Sequence, residues 1–161
     1  MDTTTILHTL QELAYLLGTF GFFIVYATVR GRQAVINLVV GLYFALLISL
    51  EFPYYDKVLA HAGDTHSIAI GKIVLFAVFT ILATLLIKRI MPDEYKETKF
   101  ESFHKKILLA VGGTILIMVF SFHVLPVTEF LTPGSPIRSL FAPNDYFFWW
   151  LLAPLVMLYI N

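Results

Sequence analysis

Four runs of apolar residues, each about long enough to cross a bilayer, are separated by short polar segments. That spacing constrains the fold more than any other property of the chain. A spanning helix needs about 20 residues, because each residue rises 1.5 Å and the hydrocarbon core is roughly 30 Å thick. The runs cover about residues 10–29, 34–50, 68–87 and 107–125. Of the 161 residues, 58% are hydrophobic and 14% charged, against roughly 45–50% and about 25% in soluble domains. A soluble fold could not hide that much apolar surface, so the expected fold is an all-α, polytopic membrane helical bundle forming a single integral membrane domain over residues 1–161.

The turns are short and their charge is uneven. Arg30-Gly31-Arg32 separates the first two runs, which forces an antiparallel hairpin. The second run stops at Glu51-Phe52-Pro53 and the third at Lys88-Arg89, and the fourth begins just after Lys105-Lys106. Eight of the eleven Lys and Arg lie in the two stretches 30–32 and 88–106. Basic loops are held in the cytoplasm, so Arg30, Arg32, Lys88, Arg89, Lys105 and Lys106 are expected as cytoplasmic anchors, with Gly31 permitting the turn. The N-terminus and the Glu51–Ser67 segment then lie outside, in the cell (inner or plasma) membrane. Topology alone demands these cations, although they also suit anionic lipids or a partner.

The C-terminal hydrophobic segment, residues 146–160, opens on Tyr146-Phe147-Phe148-Trp149-Trp150 and contains Pro154. Aromatics in that density belong at a membrane interface. With about 15 apolar residues the segment is marginal as a span, and a fifth crossing, a re-entrant segment and a helix flat at the outer interface all stay open.

Several function classes are disfavoured. Net charge is zero, so no nucleic-acid footprint is visible. No cysteine is present, which removes disulfides, iron–sulfur clusters and thiolate zinc sites. The start, Met1-Asp2-Thr3-Thr4-Thr5, lacks a basic n-region, so the first run is expected to be retained as a span. No HExxH-type or paired-carboxylate helix motif appears. His61 and His66 flank Asp64 in the outer segment, but His61-Ala62-Gly63-Asp64-Thr65-His66 is not a recognised ligand spacing. No cofactor, metal or catalytic residue is expected.

The candidate functional residues are polar groups in or beside the spans, where ionisable side chains are costly. Lys72 lies near the outer end of the third run; its long stem suits snorkelling to the headgroups, or a pair with Glu51 or Asp64. Asn37 lies near the cytoplasmic end of the second run, with Gly41, Ala45 and Ser49 following along one face. Such a small-residue stripe reads as helix packing. His123 and Glu129 mark the outer end of the fourth run.

The stretch Thr28-Val29-Arg30-Gly31-Arg32-Gln33-Ala34-Val35-Ile36-Asn37-Leu38, followed by Tyr43-Phe44-Ala45 and Tyr54-Tyr55, resembles the colicin V production protein family. The likeness lies in a first span running into Arg-Gly, a second directly after it, four spans and a basic connector before the fourth. The chain departs from the family at Glu101-Ser102-Phe103-His104-Lys105-Lys106 and in its greasy tail. The resemblance implies a small inner-membrane protein linked to envelope upkeep or secretion.

The function expected is that of a scaffold or accessory subunit with no catalytic activity. Its partners would be the lipid bilayer and either further copies of itself or a larger membrane complex. The alternative is an oligomeric channel or transporter for ions or small solutes, with Asn37, Ser49, Lys72, Thr80, Thr84 and His123 lining the path.

Overall fold

The computed structural model describes residues 3–60, 64–91, 103–123, 136–141 and 143–160. Seven helices and no strands are found among them: α1 (Thr3–Arg30), α2 (Arg32–Glu51), α3 (Tyr55–Val58), α4 (Thr65–Ile90), α5 (Phe103–His123), α6 (Pro136–Phe141) and α7 (Asn144–Ile160). Four of these, α1, α2, α4 and α5, are long and apolar enough to cross a membrane. The chain is therefore an all-α helical bundle of a kind compatible with a multi-pass membrane protein. Each helix overruns its apolar run at one or both ends, because helix continues through polar flanking residues that composition assigns to turns.

The α1–α2 reversal takes a single residue. Gly31 adopts φ 86° and ψ 170°, a backbone region that essentially only glycine occupies. Its N–H still bonds the Ala27 carbonyl at 3.1 Å, closing α1, and α2 starts at the next residue. A Cβ there would meet open space, so backbone strain alone demands glycine.

Helices α2 and α5 form the centre. Of the apolar window of α5, 56% is buried, against 22% for α4 and 17% for α1. Helix α2 packs chiefly on α4, α1 packs on α5, and α7 takes another side of α5. The shared core holds Phe23 and Ala27 of α1, Val35, Val39, Leu42 and Ala45 of α2, and Leu109, Leu116, Val119 and Phe120 of α5. Two glycines let long helices approach closely. A Cβ on Gly41 would run into the Thr84 hydroxyl and stand 3.1 Å from the Thr84 backbone nitrogen. The open side of Gly113 receives the Phe23 ring.

Beyond the end of α2 the chain folds back along α4. Phe52 stacks edge-on against Phe79 at 5.2 Å and against Tyr55 at 5.1 Å, and Leu59 fills the space over Gly71. Within the segment expected as a polar outer loop, Phe52 and Leu59 thus pack along α4. The short helix α3 joins this packing through the Tyr55 ring, which meets Phe52.

Helix α7, 17 residues long and so about 26 Å, is seated within the depth of the bundle. Pro154 and Met157 lie over Gly112, near the middle of α5. The Tyr43 hydroxyl, near the middle of α2, donates to the Leu151 carbonyl at 2.5 Å. At its start, Trp150 packs on Phe141 at 4.7 Å and donates Nε1–H to the Leu140 carbonyl at 3.0 Å. An arrangement flat across one end of the bundle would not bring these residues to mid-helix positions.

Candidate functional site

Three groups of polar side chains mark the ends of the bundle, two at the end where α2 finishes and one at the end where it begins. The first lies in the α1–α5 seam. The Tyr15 hydroxyl and Ser121 Oγ are 2.7 Å apart, and Ser121 Oγ donates to the Ile117 carbonyl at 2.7 Å. A serine has one hydroxyl proton, so Tyr15 must be the donor in the pair. One turn earlier on α1, Glu12 is only 3% exposed and is itself engaged in an interaction. Glu12 continues the buried stripe of α1 that runs on through Phe23 and Ala27. A carboxyl thus occupies a place in the packing seam where a leucine would be ordinary.

The second group covers the finishing end of α2. Ser49 Oγ and Tyr55 Oη are 2.5 Å apart. Lys72 is half-buried, with its ammonium 5.9 Å from the centre of the Tyr55 ring, while Lys57 stands 5.5 Å from the Tyr54 ring. Both distances suit cation–π attraction. Glu51, the last residue of α2, is exposed, as is Asp64 at the start of α4. Lys72 therefore meets an aromatic face, where charge complementarity in the sequence points to Glu51 or Asp64.

The third group is basic. Arg30 ends α1 and Arg32 begins α2; Lys88 and Arg89 lie in the last turn of α4, Lys105 and Lys106 in the first turn of α5. Arg30, Lys88, Arg89 and Lys105 are exposed, and Arg32 and Lys106 half-buried. Gln33 ties this end together: its Nε2 donates to Asn37 Oδ1 at 3.2 Å and approaches Met91 Sδ at 3.9 Å. Asn37 is 3% exposed and acts as an acceptor within its own helix.

Of the other candidates, His123 is the last residue of α5, while Glu129 and His61 lie outside the described residues. Three of the suggested path-lining residues are described in detail. Thr80 bonds back to the Phe76 carbonyl at 2.9 Å, Ser49 is taken by Tyr55, and Thr84 Oγ1 is buried without a hydrogen-bond partner where Gly41 crosses it. Among the described residues no group of three His, Asp or Glu side chains could hold a metal.

No protein-family model, curated protein or solved structure matches the chain. The site has to be read from its own chemistry. Tyr15, Ser121, Tyr43 and the burial of Glu12 all escaped the sequence reading. For Glu12 a signal existed: it stands in helical register with the residues that α1 buries. The tyrosine bonds had none, since each partner lies more than 100 positions away along the chain.

Proposed function

We propose that this protein is a non-catalytic integral membrane scaffold or accessory subunit, with its basic end in the cytoplasm and its N-terminus outside. The observation that carries the reading is that most hydroxyls described inside the spans, Thr84 excepted, are used within the bundle. Tyr15, Ser49, Thr80, Thr114 and Ser121 each have an intramolecular partner. The α2–α4 seam closes by direct approach of Gly41 to Thr84, which leaves no lined path there. The outward faces of α1 and α4, by contrast, are bare aliphatic surface, suited to lipid and to neighbouring membrane proteins. The basic turn at Arg30-Gly31-Arg32, with its likeness to colicin V production proteins, agrees with a role in envelope upkeep or secretion.

Extraction in mild detergent tests this reading. The expected result is an assembly larger than one chain, made of further copies or of a defined membrane complex, that passes no ions or small solutes when reconstituted in vesicles. Selective solute flux from the folded, reconstituted protein would instead establish the channel or transporter reading.

A further inference from the structure

We propose that the basic end carries a binding site for an anionic phospholipid, its phosphate held by Lys88 and Arg89 in the last turn of α4 and its acyl chain lying on the bare flank of that helix. Val78, Leu82, Leu85, Leu86 and Arg89 recur at helical spacing and form one stripe. The four aliphatic members are 42–60% exposed. From Val78 to Arg89 the stripe rises about 16 Å at 1.5 Å per residue, close to the depth of one leaflet, half of a roughly 30 Å hydrocarbon core. A cation thus caps a leaflet-long aliphatic track, which is the outline of a phospholipid.

The tertiary fold adds what charge order along the chain does not. The Gln33–Met91 contact brings the end of α4 to the start of α2, so the α1–α2 turn and the last turn of α4 share one rim. From residue 88 to 106 the chain has six basic and four acidic residues, a net charge of +2. Anionic headgroups complement that rim, and a free phosphate would leave the aliphatic track unused.

The test is lipid retention by the full-length protein in mixed phosphatidylglycerol and phosphatidylcholine micelles, read by native mass spectrometry. Phosphatidylglycerol should be retained preferentially. Lys88→Gln and Arg89→Gln should each reduce that preference about fivefold, since a basic residue at an anionic surface contributes about 1 kcal/mol. Lys57→Gln, at the opposite end, should leave it unchanged, and glycerol 3-phosphate should not displace the lipid. Equal retention of the two lipids, an unaltered preference in the Lys88/Arg89 double variant, or displacement by glycerol 3-phosphate would each overturn the proposal. None of these readouts depends on whether the protein is a scaffold or a channel.

Discussion

Adjacent glycines in α5 have opposite duties. At Gly113 an added Cβ would drive into the Phe23 ring, and Phe23 is 1% exposed with no room to retreat. At Gly112 the same atom would sit 3.4–3.6 Å from Met157 and Pro154, ordinary contact distances. We expect Gly113→Ala to destabilise the detergent-solubilised protein by about 1–3 kcal/mol, the usual range for overpacking, and Gly112→Ala to leave its melting temperature nearly unchanged. Equal effects would mean that α1 does not pack on α5 through Phe23. The Tyr15–Ser121 bond is a smaller matter: Tyr15→Phe should cost about 0.6 kcal/mol, the typical value for an interhelical bond in a membrane. Residue by residue, Gly31 was legible, because Arg-Gly-Arg between two long apolar runs leaves room only for a tight turn. Gly113 was not, since nothing near it in sequence announces Phe23.

At the scale of the helix, α7 depends on help from its neighbours. Pro154 has no N–H, so the Trp150 carbonyl one turn earlier loses its helical donor. Tyr43 donates to the next carbonyl along, that of Leu151. That bond ties the proline-containing turn to α2 without replacing the one that Pro154 removes. Tyr43→Phe should therefore speed amide hydrogen exchange in α7 more than in α1 or α2. Exchange rising uniformly across the protein would count against a local role. The limits of α1, α2, α4 and α5 were legible to within several residues, because the length of an apolar run is a local property. The seat of α7 was not: 15 apolar residues and a proline are consistent with three placements until Gly112, Tyr43 and Phe141 are known to meet them.

For the molecule as a whole, the arrangement is uneven. Helix α5 is the most enclosed of the long helices, whereas α4 leans on α2 and leaves residues such as Leu82, Leu85 and Leu86 about 60% exposed. In water such a flank would drive aggregation; in a bilayer it meets lipid. The absence of native cysteine makes orientation easy to test. A cysteine placed at Val58 should react with a membrane-impermeant maleimide in intact cells, and one at Met91 only after permeabilisation. The reverse pattern would invert the topology assigned from the Lys and Arg bias.

The sequence by itself determined the fold class, the number of long apolar helices and the gathering of basic residues at one end. Those follow from run length and charge order, which are read along the chain. Only the tertiary structure decided which polar groups meet. It placed Glu12 in a packing seam, turned Lys72 towards Tyr55, closed the α2–α4 seam at Gly41 and Thr84, and drew the ends of α1, α2 and α4 into one basic rim. Each of these is a contact between distant segments, set by which helix faces pack together, and local composition carries no record of that choice.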